Sequence, residues 1–185
     1  ELVSLPTSNL VAGTNTLQKF AISADESGSL AWKQIAFTVN KTANPTISCN
    51  STACTGVELY DVTSGKTVAG KFTASTDFAA TAAASGTITF VPSTEQTIAE
   101  KESRTYEFRA TTVGGSLAAN DYIMSQIARP TTAFVPSNTV TVLGNTPSFI
   151  WSDLSAQQHG EGTTDWATDF LVKKLPTSTQ TIEKK

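Results

Sequence analysis

Imidazole and thioether are almost missing from this 185-residue chain, which has one His and one Met. That scarcity argues against a histidine-rich metal centre. Charged residues make up only 16% of the chain, at a formal net charge of −3 and a pI near 5.1. The basic excess or stripe of a nucleic-acid surface is therefore absent. Hydrophobic runs are short, and none approaches the roughly 18 apolar residues of a membrane helix. No basic segment followed by an apolar one precedes Glu1, so a leader has been removed or the chain begins inside a longer protein.

Cysteine is limited to Cys49 and Cys54, set among small polar residues in Ile47-Ser-Cys-Asn-Ser-Thr-Ala-Cys54-Thr-Gly56. There is no CxxC and no second ligand pair, so a disulfide pinning a loop tip is the expectation, ahead of two free thiols or a metal site. A disulfide places the protein outside a reducing cytoplasm, extracellular or at the cell surface.

Hydroxyls are abundant: 31 Thr and 19 Ser, together 50 of 185 residues, or 27%. Alternation of period two dominates the chain. In Trp32–Asn40, Ile35, Phe37 and Val39 fall on one face, with Gln34, Thr38 and Asn40 on the other. Phe20, Ile22 and Ala24 alternate with polar or small neighbours, as do Tyr106, Phe108 and Ala110; Val57–Val62 and Gly86–Val91 behave alike. Ser64-Gly65 reads as a hairpin turn, and Ala79–Ser85 as a loop. Short runs bounded by Gly, Pro, Asn and Ser predict a single all-β domain over 1–185, an antiparallel Ig-like or jelly-roll-type β-sandwich. The Thr surplus suits its wet faces, because a β-branched side chain fits the pleat while its hydroxyl meets water.

The C-terminal part, 149–185, reads as a Trp-containing clasp and tail. Thr164 as a cap, with Trp166 and Phe170 four apart, predicts a short helical turn. Asp153, Glu161, Asp165 and Asp169 lie near Trp151 and Trp166, and read as solvated acids beside packed tryptophans. His159 sits in the polar run Gln157–Gly162 and reads as a surface residue. No G-x-S-x-G elbow, Ser-x-x-Lys pair or phosphate loop occurs, and no acidic segment matches a calcium loop. No catalytic residue, metal ligand or cofactor is therefore assigned.

Three segments resemble a Thr-rich β-sandwich module of secreted surface proteins from uncultured, small-genome bacteria. They are Phe20-Ala-Ile-Ser-Ala-Asp-Glu-Ser-Gly-Ser-Leu-Ala-Trp-Lys33, Glu102-Ser-Arg-Thr-Tyr-Glu-Phe108, and Phe149-Ile-Trp-Ser-Asp-Leu-Ser155 with Asp165-Trp166 and Leu175-Pro176. The resemblance spans most of the chain. It implies a cell-surface structural role, brings no catalytic residues, and comes from modules at or near the C-terminal end of longer chains.

The expected function is an extracellular structural subunit that assembles with itself into a filament or surface layer through β-strand addition. Residues 1–12 are the expected donor, with Leu2, Val3, Leu5, Leu10 and Val11 as its apolar anchors ahead of Gly13. The competing reading is that they form the first strand of their own sheet. The alternative function is an adhesin or carbohydrate-binding module, with Trp151 and Trp166 as stacking platforms for surface glycans. Exposure of those rings discriminates the two. Asn40 and Asn50 head sequons that could accept glycan.

Overall fold

A computed structural model describes residues 1–113, 117–128, 148–168 and 172–185. Among these no helix occurs, and the strands are β1 (Gly13–Ser23), β2 (Leu30–Lys41), β3 (Thr46–Ile47), β4 (Val57–Asp61), β5 (Lys66–Thr67), β6 (Gly70–Ala74), β7 (Ala84–Pro92), β8 (Gln96–Ile98), β9 (Ser103–Val113), β10 (Tyr122–Ile127), β11 (Phe149–Ser152), β12 (Trp166–Thr168) and β13 (Gln180–Glu183). They form two antiparallel sheets packed face to face, a β-sandwich. The first sheet runs β1-β9-β4-β5, with β3 also on β9. The second is built around β2: β7 and β8 lie along one edge and β10 and β11 along the other, with β6 beyond β7, β13 beyond β10 and β12 beyond β11.

The alternating residues meet between the sheets. Ile35, Phe37 and Val39 of β2 are buried, as are Tyr106, Phe108 and Ala110 of β9. Phe37 stacks on Phe108 at 4.4 Å between centroids, and Phe20 on Tyr106 at 5.7 Å. The Ser64-Gly65 turn closes β4 onto β5, with Gly65 N–H donating to Asp61 O at 2.9 Å. The 79–85 run is a loop up to Ala84, and it has a task. Its Ala80 and Ala82 carbonyls accept from the buried Lys41 ammonium at 2.9 and 2.7 Å. Burial pulls the Lys41 pKa below its ordinary value, against the opposing charge of Asp77. Charges on the outer face of the first sheet are paired: Glu107 takes Lys19 at 3.0 Å and Arg109 at 2.7 Å, while Arg109 lies 3.7 Å over the Tyr60 ring.

Gly70 on β6 is needed for close approach. A Cβ there would meet the Phe90 ring at 2.5 Å and the Val91 carbonyl, fixed in β7, also at 2.5 Å. Gly70→Ala should lower stability by about 1–3 kcal/mol, an overpacking cost read from the shift in a urea midpoint.

The helical turn expected at Thr164 is not formed. Residues 166–168 are strand β12, paired Ser152↔Trp166 and Ile150↔Thr168 with β11. Burial against a sheet decides it. Trp166 packs with Ala31 and Ile150 in a small second apolar cluster, joined by Leu154, apart from the main core. Phe170, the other half of the expected pair, lies outside the described residues, as does Asp169.

Candidate functional site

Three places gather the residues singled out above. The first is the amino-terminal segment, which docks on its own sandwich. Glu1 and Ala21 exchange main-chain hydrogen bonds at 2.8 and 2.7 Å, and Val3 N–H donates to Lys19 O at 3.0 Å. Residues 1–3 thus add a short antiparallel stretch to the edge of β1, with Leu2 opposite Phe20. After Pro6 the chain turns to β13, where Leu10 N–H donates to Glu183 O at 3.0 Å and Glu183 N–H to Ser8 O at 2.9 Å. Leu10 is fully buried, Leu2 and Leu5 pack on the core from partly buried positions, and Val11 is 41% exposed. Gln180 clamps the two attachments together, donating to Val3 O and accepting from Lys19 N–H, both at 2.7 Å. Within one chain, then, the segment forms no strand of its own but bridges the two sheets, antiparallel to β1 of the first and parallel to β13 of the second.

The second is a cavity of about 590 Å³ at one end of the sandwich, between the later half of β1 and β11. Phe20, Ile22, Leu30, Phe149, Trp151 and Leu175 supply its apolar wall, with Asp25, Asp153 and Lys173 among its polar lining. Of the two tryptophans expected as platforms, only Trp151 borders it. Trp166 is 2% exposed, and its Nε1–H donates to Gly160 O at 2.9 Å, so it offers no face to a ligand. Trp32 is fully buried.

The third is a charged clasp on the outer face of the second sheet, and the sequence did not announce it. His159 is not a loose surface residue. Its Nδ1 lies 2.7 Å from Asp165 Oδ2 and its Nε2 3.0 Å from Glu95 Oε2. Asp165 also accepts from Ser152 Oγ at 2.8 Å, from Ala156 N–H at 3.4 Å and from the Thr163 hydroxyl. The Asp165 side chain is 3% exposed, so the expectation of a solvated acid fails there. Burial alone would raise its pKa, but the hydroxyls of Thr163 and Ser152 and the imidazole outweigh that and hold it far below the ordinary carboxylate range. Glu161 forms an ion pair with Lys33, and Asp153 accepts from Ser155 N–H at 3.1 Å. Lys33 is itself buried, at a bulge where β2 slips register against β11. The residue that completes the clasp, Glu95, is 64 positions from His159, and nothing local in the sequence couples them.

Cys49 and Cys54 form a disulfide. It closes the loop that carries Asn50, whose Oδ1 accepts from the N–H groups of Thr52 and Ala53, both at 2.9 Å. Asn40 lies within β2, paired with Ser85 on one side and Met124 on the other, so of the two sequons Asn50 is the one in a loop. Among the described residues no group of three or more His, Cys, Asp or Glu is arranged to hold a metal ion, and no helix is long and apolar enough to cross a membrane.

The fold places the chain among antiparallel β-sandwich proteins. No protein-family model, no curated protein and no solved structure matches it.

Proposed function

We propose that this chain is an extracellular structural subunit that assembles with copies of itself into a filament or surface layer by exchanging residues 1–12. The observation that carries the reading is the docking of that segment. Residues 1–3 and 8–10 are held chiefly by main-chain bonds to the β1 edge and to β13, with Leu10 as a buried plug. An identical edge exists on every copy, so the same bonds form between chains with little net change in contact energy. Gly13, at φ 107°, supplies a hinge between the segment and β1 in a conformation other residues rarely adopt. Reciprocal exchange closes a dimer; one-directional exchange leaves a free donor at one end and a free acceptor at the other, and grows a chain. The cell-surface role implied by the Thr-rich module resemblance and the disulfide supports the same setting.

Glu1→Cys and Ala21→Cys, made in separate preparations with one isotopically labelled, test it. These residues are a hydrogen-bonded pair, a spacing of about 5.5 Å between Cα atoms that a disulfide spans. After mixing and oxidation, a heavy–light dimer linked through positions 1 and 21 is the expected product. Absence of that species at concentrations where the protein is oligomeric rejects exchange, as does unchanged assembly after deletion of residues 1–12.

An adhesin or carbohydrate-binding role keeps one observation in its favour, the cavity bordered by Trp151, Asp25 and Asp153. Its volume falls in the roughly 300–1,000 Å³ range of small-molecule sites.

A further inference from the structure

We propose that His159, held between Asp165 and Glu95, is a pH-operated latch that ties the 153–165 loop to the turn ahead of β8 and opens at Glu95 when the imidazole loses its proton.

The argument is one of hydrogen-bond supply. A carboxylate only accepts, so an imidazole with a carboxylate on each nitrogen satisfies both only as the doubly protonated cation. The two partners come from different parts of the fold. Asp165 belongs to the same loop as His159, whereas Glu95 stands in the turn between β7 and β8. The neutral ring has one N–H and must abandon one carboxylate to its lone pair. Asp165 is the better-held partner, at 2.7 Å and fixed by Ser152, Thr163 and Ala156; Glu95 is longer, at 3.0 Å, and its side chain is 30% exposed. Deprotonation therefore releases Glu95 to water and leaves His159–Asp165 as a unit on the loop.

Two elements bring charge to the ring: the turn gives Glu95 and the loop gives Asp165. Glu161 of the same loop is taken up by Lys33 of β2. Trp166 adds a ring face 5.1 Å from the imidazole centroid. Burial of His159 favours the neutral form, but the bonds and charges of Asp165 and Glu95 outweigh it and raise its pKa above the ordinary 6.5. The sign follows. With the pKa raised in the closed state, the latch is at full strength below about pH 6.5 and weakens as pH climbs through the elevated value. Opening removes the tie to the turn and loosens the loop whose Leu154 packs on Ala31, Ile150 and Trp166, the small apolar cluster apart from the main core.

The test combines a His159 Hε1 NMR titration with amide hydrogen exchange of residues 153–165, corrected for intrinsic rates, from about pH 5 to about pH 9. The His159 midpoint should exceed the ordinary value. Loop protection should fall between the acid and alkaline limbs by about tenfold for each pH unit of that excess. Glu95→Gln should bring the midpoint down and flatten the pH dependence, while β1 and β9 amides keep wild-type protection. His159→Gln should abolish the dependence. A midpoint at or below the ordinary value overturns the latch. So does a loop whose protection is the same at both limbs, or a Glu95→Gln protein that loses protection equally at every pH.

Discussion

Replacing Trp32 with alanine should destabilise the whole sandwich by about 3–5 kcal/mol, the usual cost of removing a fully buried large aromatic. Domains of this kind hold only about 5–15 kcal/mol in total, so the variant sits close to unfolding at 37 °C. The size of the effect comes from position. Trp32 is fully buried on β2, edge-on to Tyr106 of the opposite sheet at 5.5 Å and beside Phe90 and Phe149, both at 6.4 Å. It therefore contacts three strands of two sheets, and the space it leaves is walled by strands that cannot close in without breaking ladders. Trp32→Phe should cost far less. The indole Nε1 and the Tyr106 hydroxyl are both buried with no hydrogen bond of good geometry, so phenylalanine removes an unsatisfied donor while keeping most of the ring. Urea unfolding of the two variants checks this; equal losses would show that Nε1 does have a partner worth keeping.

Asp165→Ala is the second large effect, and it should be local. The carboxylate accepts from Ser152, Ala156, Thr163 and His159, and its removal strands the Ser152 hydroxyl, the Ala156 N–H and the imidazole Nδ1 beneath the loop, while the Thr163 hydroxyl keeps the Gly160 carbonyl. Breaking one member of a buried charged network costs about 3–5 kcal/mol. The network lies outside the main core, against the separate cluster of Ala31, Ile150 and Trp166. Loss should therefore appear as detachment of the clasp: red-shifted Trp166 emission and rapid proteolysis within 153–165. Exchange protection of β1 and β9 should stay at the wild-type level. A uniform fall in protection across both sheets would instead make the clasp part of one cooperative unit with the sandwich.

The fold was legible because its main signal is local. Ile35, Phe37 and Val39, and likewise Tyr106, Phe108 and Ala110, carry the period of two that a half-buried strand demands, and they form the inner faces of the two sheets. Ser64-Gly65 marked its turn because glycine tolerates positive φ, here 70°. The clasp is not legible in the sequence, for the converse reason. Trp166 and Phe170 have helical spacing, and Thr164 is a good cap, but neither feature records that β11 offers a free edge and that Trp166 can bury itself there. Once paired, a few tenths of a kcal/mol of local preference cannot compete.

The sequence alone determined that the chain alternates, where it turns, that two cysteines stand close enough to close a loop, and that Thr fills the wet positions. Tertiary structure decided what meets what. His159 became a clamped residue only because the turn at Glu95 arrives beside it, and residues 1–3 found their place on β1 only because the Gln180 side chain reaches them from β13 of the other sheet. Backbone preference depends on a residue's immediate neighbours. Partners 64 or 161 positions apart are chosen by the joint burial of two sheets, which no single stretch of chain encodes.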